Sequence, residues 1–223
     1  MNLRAKKPTE VKPKPPQVLL YGPPGSGKTW FAISARRPYV IDCERSASNT
    51  SYMNKIEENN GAYFGPDDGA DIFEEVVSEV ESLIREDHEF GTLVIDGFSS
   101  LFNRTVQAEH ERLTSEGKTT AFGADKKPAV HLTRKLFRRL TKLNMSTMLI
   151  CHSVPEYSDG EVVGQAADVH KDALYDVHIV LESFVRGRSF QFRVIKSRYP
   201  SFAIHDTFDN DFQTFKEKFN VQP

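Results

Sequence analysis

The sequence predicts an α/β protein: a mostly parallel sheet with helices on both faces and an antiparallel hairpin at one edge. Three observations predict it. Short apolar runs such as "QVLLY" and "GTLVIDG" lack polar alternation, as strands buried on both faces require. Each run closes on a turn residue or an acid and leads into a helical pattern, so strand and helix alternate. Near the end, "FVRGRSFQFRVIKS" reads as two strands facing each other around Gly187.

Residues 1–16 carry prolines at 8, 13, 15 and 16 among five bases and one acid, which predicts an extended, flexible basic arm. "QVLLY" is the first strand, and "KTWFAISARR" a helix stopped by Pro38. "YVIDCE" and "GAYFG" are the next strands. "PDDGAD" starts a helix whose apolar residues at 72, 73, 76, 77, 80, 83 and 84 form one stripe. "GTLVIDG" is a strand, and Phe98 to Arg112 a helix. "LTSEGKTTAFGADKKP" has no periodicity and is expected to be a loop. From Pro128 a helix turns Ala129, Leu132, Leu136, Leu140 and Leu143 inward, and His131, Arg134, Lys135, Arg138, Arg139 and Lys142 outward. "STMLIC" is a strand, "HSVPEYSDGEVVGQAADVHK" a second long loop, and "DVHIVLE" the strand before the hairpin. In "FDNDFQTFKEKF", Phe208, Phe212, Phe215 and Phe219 share one helical face, expected to pack on its own core rather than serve assembly. The expected organisation is thus an arm (1–16), one core (17–205) and a helical tail (206–223).

The 223 residues suffice for one compact core, and 39% hydrophobic with 27% charged residues is the composition of a soluble globular protein. No apolar run approaches the roughly 20 residues of a membrane span, and the first residues lack the apolar middle of a secretory signal. A cytoplasmic protein with no membrane partner is expected. Cys43 and Cys151, both at strand ends, read as buried reduced thiols rather than a disulfide. Net charge is −2, so the chain as a whole is no polycation. Charge is segregated, however. Asp67 to Glu89 carries ten acids and one arginine, and Lys126 to Lys142 carries seven Lys/Arg and no acid. That distribution permits a basic face for a polyanion.

"GPPGSGKT", Gly22 to Thr29, fits G-x-x-x-x-G-K-[ST] between a strand and a helix. Glycines let the backbone fold tightly around an anion with its N–H groups turned inward, and the following helix adds its positive end. The expected nucleotide-binding set is Gly22, Pro23, Pro24, Gly25, Ser26, Gly27, Lys28, Thr29 and Trp30. Lys28 reaches the outer phosphates, and the Thr29 hydroxyl ligates Mg²⁺. Asp96, ending "TLVID", is the metal-side carboxylate. Hydrolysis needs a group to deprotonate water, and Glu44 after "YVIDC" is the candidate, with Asp42 as rival. His152 comes directly after "STMLIC" at the same edge and is a candidate sensor of the γ-phosphate, or else a surface histidine.

This order of motifs resembles the ATPase core of the RecA family. It is similar above all to the small phage RecA-like ATPases of single-strand annealing, across residues 17 to 205. The stretches that carry the likeness are the phosphate loop, "IDCE", "FGPDDGADIFEEV", "VIDG", "MLIC" and "VIKSRYPSF". The resemblance implies a RecA-like P-loop NTPase fold, with ATP and Mg²⁺ as cofactors and ATP hydrolysis as the activity. It implies Glu44 activating water, His152 as sensor, and Tyr52 stacking on adenine. It also implies Lys196 and Arg198 reaching a neighbour's γ-phosphate across an interface of a homo-oligomer, although strand-end surface charges would look the same. The family places single-stranded DNA at two segments, here about 113–128 and 153–171; the second is also acidic, through Glu156, Asp159, Glu161 and Asp168. The same likeness implies annealing or pairing of DNA, a single-strand-binding protein as partner, and the host cytoplasm of a phage. The alternatives are an ATPase that remodels a protein, such as a helicase loader or packaging accessory, and a nucleotide kinase.

Overall fold

Strand β1 (Gln17–Tyr21) is buried along its whole length and forms the axis of the sheet. In the computed structural model, which describes residues 4, 5, 7, 9, 14–158 and 160–220, β1 pairs in parallel with β5 (Ser146–Cys151) and with β8 (Ile179–Arg186). Beyond β5 lie β4 (Thr92–Asp96), β2 (Pro38–Asp42) and β3 (Ala62–Phe64), all parallel. Beyond β8 the sheet turns antiparallel through β9 (Ser189–Ser197) and β10 (Thr207–Asp209). The order is β10-β9-β8-β1-β5-β4-β2-β3. The expected parallel sheet with an antiparallel hairpin at one edge is therefore present.

Alternate residues of β1 feed two cores. Val18 and Leu20 pack with α1 (Lys28–Ile33), α2 (Thr50–Glu58) and α7 (Phe212–Asn220). Leu19 and Tyr21 pack with α3 (Phe73–Arg85), α4 (Phe98–Ser115) and α5 (Lys127–Leu140). Covering both faces is what allows β1, β4 and β2 to be apolar without alternation.

Several expectations are corrected. The segment 153–170 is no loop: β6 (Ser153–Ser158) and β7 (Glu161–Ala167) form a separate antiparallel hairpin, and α6 (Lys171–Asp176) comes next. A register shift between Glu156 and Tyr157 and the exposure of β6 remove the alternation that marks a strand. Asp159 lies outside the described residues, as does most of the 1–16 arm. Helix α2 was not expected; Ile56 is its one fully buried residue, so it shows no apolar stripe. The helix after Gly27 ends at Ile33, short of Arg37. "PDDGAD" begins as a 3₁₀ turn (Pro66–Asp68), and α3 starts only at Phe73. The first long loop is shortened by α4, which runs to Ser115, and by a 3₁₀ segment, Ala121–Lys126, broken at Phe122 and Gly123.

Phe208 lies on β10 rather than on the last helix. Phe215 of α7 is buried, its ring 5.4 Å from that of Phe31, and Phe212 and Phe219 pack against the same core. The basic outer face of α5 is partly compensated. Glu81 of the acidic α3 binds Arg139 at 2.8 Å and Lys135 at 3.6 Å, and Asp172 binds Arg134 at 2.8 Å. Cys43 and Cys151 are buried free thiols. Among the described residues no helix is long and apolar enough to cross a membrane.

Candidate nucleotide site

Four adjacent parallel strands, β1, β5, β4 and β2, end on one edge of the sheet. Register places Tyr21 beside Cys151, Ile150 beside Asp96, and Asp96 beside Asp42. The residues just past each strand therefore meet in one crevice, the usual ligand position of an open parallel sheet. These are the Gly22–Gly27 loop after β1, Glu44 after β2, Gly97 after β4 and His152 after β5. Gly22, Pro24 and Gly25 of that loop, with Glu44, Gly97 and His152, line a cavity of about 500 Å³ together with Lys28, Thr29, Ser46, Tyr52 and Asp96; Pro23, Ser26, Gly27 and Trp30 of the expected set do not.

The loop is bent by Gly25 and Gly27, at φ +73° and +82°, where glycine alone is unstrained. Lys28 Nζ donates to the Gly22 and Pro23 carbonyls at 2.8 Å each, so its ammonium lies across the loop. Burial lowers the Lys28 pKa, opposed by the nearby carboxylates of Asp96 and Glu44. Asp96 is 3% exposed. Its Oδ2 accepts from Thr29 Oγ1 at 2.8 Å and from Ser46 Oγ at 2.6 Å. Burial pushes its pKa up to about 6 against these hydrogen bonds, with Asp42 and Glu44 adding to the rise. A hard oxygen donor set around a buried carboxylate suits Mg²⁺. ATP with Mg²⁺ therefore fits the residues present.

Glu44 reaches the cavity because Gly97, at φ +85°, has no side chain; a Cβ there would sit 2.5 Å from Glu44 Cγ. Its Oε1 accepts from Ser100 Oγ, and His152 Nε2 lies 3.0 Å from Oε1 and 3.2 Å from Oε2. Asp42, the rival, is fully buried and engaged elsewhere. It accepts from the backbone N–H groups of Glu44, Ser46 and Ala47 and from the Tyr63 hydroxyl. It folds the loop that presents Glu44 and Ser46.

Tyr52 lines the cavity from α2, and Trp30 of α1 packs on it at 5.6 Å between centroids. Lys196 and Arg198 are not brought into this cavity. Lys196 Nζ donates to the carbonyls of Leu174, Tyr175 and Val177 at the end of α6, and Arg198 donates to that of Tyr175 at 2.6 Å. Ser46 and Ser100 were missed from sequence. Ser100 stands four residues after Asp96, one helical turn into α4, and Ser46 two after Glu44; neither carries a motif of its own.

A family model described as an AAA domain matches residues 14–180. No curated protein matches the sequence. Among solved structures, the RadB recombinase is similar with a TM-score of 0.53 at 16% identity, over 86% of this chain and 84% of that one. A KaiC-like protein from the hyperthermophilic archaeon Pyrococcus horikoshii OT3 is similar with a TM-score of 0.52 at 16% identity, over 88% and 86%. At such identity the likeness is one of fold: a RecA-like P-loop NTPase. With the family match spanning more than half of its residues, this chain belongs to the AAA domain family.

Proposed function

We propose that this chain is a Mg²⁺-dependent ATPase of DNA recombination that binds single-stranded DNA and promotes its annealing or pairing. The observation that carries this reading is the convergence of Lys28, the Thr29–Asp96 pair and the Glu44–His152 pair in one cavity. The fold similarity to a RadB recombinase supports recombination as the process.

Bound MgATP supplies an electrophilic γ-phosphorus and ADP as leaving group. Lys28 binds the outer phosphate oxygens from across the loop. Thr29 and Asp96 would hold Mg²⁺, which would offset the negative charge of the phosphates. Glu44 accepts the proton of the attacking water at its carboxylate, and Ser100 and His152 fix that carboxylate in place. His152 also immediately precedes β6, so a change at the cavity reaches the β6–β7 hairpin within one residue. Tyr52, backed by Trp30, offers an aromatic face for adenine.

In this reading DNA meets the segments 113–128 and 153–171; Lys126 and Lys127 of the first and His170 of the second line one cavity with His131 and Arg134 of α5. The protein forms a homo-oligomer with ATP at the subunit interface and works in the host cytoplasm of a phage beside a single-strand-binding protein. Labelled single-stranded DNA tests it. Binding should tighten with a non-hydrolysable ATP analogue and weaken steeply with salt. Binding that ignores nucleotide, or no binding, contradicts it.

One observation favours a second reading, an ATPase that remodels a protein. The hairpin exposes Tyr157, Val162 and Val163 beside Glu156 and Glu161, a surface better matched to protein than to phosphate. ATPase activity stimulated by a protein and not by DNA would select it.

A further inference from the structure

The carbonyl of Ser26, in the middle of the phosphate loop, accepts two side-chain hydrogen bonds from the opposite end of the chain. Ser183 Oγ of β8 donates at 2.7 Å, and Asn210 Nδ2, in the turn between β10 and α7, donates at 2.9 Å. Ser183 is fully buried. Asn210 is itself anchored, its backbone N–H donating to the Phe190 carbonyl of β9 at 2.9 Å. The fit leaves no room for a side chain at Gly22 or at Gly27. A Cβ on Gly22 would lie 2.2 Å from the Ser183 carbonyl oxygen, and one on Gly27 would lie 2.9 Å from Asn210 Nδ2.

A trans peptide points its C=O and the next N–H in opposite directions, and no cis peptide occurs among the described residues. Holding the Ser26 carbonyl toward β8 and the β10–α7 turn therefore turns the Gly27 N–H the other way. We propose that Ser183 and Asn210 are positioning residues for the nucleotide. By fixing the Ser26–Gly27 peptide they aim the Gly27 N–H at the bound phosphate, which makes the carboxy-terminal segment a working part of the ATP site. The reason is energetic as well as geometric. A loop that must orient its peptide only on binding loses affinity to that ordering, whereas a fixed one does not. The inference rests on the nucleotide-binding reading of the cavity and adds to it two residues that touch no ligand.

The test measures steady-state ATPase kinetics and thermal unfolding without nucleotide for the intact chain. The variants are Asn210→Ala, Asn210→Asp and Ser183→Ala, with Lys28→Ala as control. Asn210→Ala should raise KM for ATP about five- to tenfold, the scale of one hydrogen bond, with kcat changed far less. Asn210→Asp should raise it at least as much, because a carboxylate then faces the Ser26 carbonyl. The pair Ser183→Ala and Asn210→Ala should be non-additive, since both donors serve one oxygen. A shifted melting temperature with unchanged KM in Asn210→Ala and Asn210→Asp overturns the proposal and leaves a purely structural tail. Should Ser183→Ala fail to fold, the two Asn210 variants decide alone, because Asn210 is only partly buried. Failure of the nucleotide reading looks different: the unmodified chain would then match Lys28→Ala, neither hydrolysing ATP.

Discussion

Glu44 has a carboxylate held on two sides, by the Ser100 hydroxyl and by the His152 ring, and a backbone N–H held by Asp42. A glutamine at this position keeps the shape and the hydrogen bond from Ser100 but cannot accept a proton. Glu44→Gln should therefore retain ATP, measured with a fluorescent analogue, while single-turnover hydrolysis falls by a factor of about a hundred or more. Normal turnover in that variant would remove Glu44 from the base role. Asp42 does not inherit the role easily, because its oxygens already accept from three backbone N–H groups and from Tyr63. Glu44 and Asp96 were legible in the sequence because each ends an apolar run beside a phosphate-loop motif. Ser46, Ser100, Ser183 and Asn210 were not, because a lone hydroxyl or amide declares its partner only when the sheet order has been set.

At the scale of elements, α7 and the ends of β1 and β8 offer two tests. The Phe215 side chain fills the space between Phe31, Phe202 and Phe219, with centroids 5.1 to 5.4 Å away. Phe215→Ala should cost on the order of 3 kcal/mol of unfolding free energy in a urea titration. A loss under about 0.5 kcal/mol, the usual scale of surface substitutions, would mean that α7 is not an integral layer of the core. His178 precedes β8 and accepts at Nδ1 from the Gln17 backbone N–H at 3.1 Å, a bond that its neutral ring alone can make. Burial lowers its pKa below the ordinary 6.5, and Arg198 and Lys196 lower it further. The folded state thus binds fewer protons than the unfolded chain at pH values just below 6.5. The contribution is fully present above that pH and is lost as pH falls through it toward the folded-state value. Replacing His178 with glutamine should flatten this part of a stability–pH curve. An unchanged slope would assign the pH dependence elsewhere.

Across the whole molecule, Lys196 and Arg198 rest on the carbonyl end of α6, a position that suits cations by itself. If they also serve a neighbour's nucleotide, they must leave those carbonyls on assembly, and α6 joins the β6–β7 hairpin to β8. Lys196→Ala and Arg198→Ala should then lose DNA-stimulated ATPase, and mixing either with Lys28→Ala protomers should restore part of it. No recovery in mixtures would confine both residues to capping α6. Charge behaves less simply at this scale than along the chain. The acidic run of α3 and the basic run of α5 are neighbours, so Glu81 pairs with both Lys135 and Arg139 and offsets part of their charge. Among the described residues, the exposed bases of this run left without an ion pair are Lys126, Lys127, Arg138 and Lys142.

By itself the sequence determined the alternation of strand and helix, the phosphate loop, and which acids end which strands. These are local properties, written in periodicity and in residue types that only certain backbones and ions accept. It left α2 and the β6–β7 hairpin unseen, because exposed elements have no buried face to impose a period. Tertiary structure alone decided that β1, β5, β4 and β2 are neighbours, that Asp42 folds a loop while Glu44 enters the cavity, and that Asn210 returns to the loop 184 residues earlier. Strand order and long-range hydrogen bonds are set by how two cores close around one sheet, and no short stretch of chain carries that information.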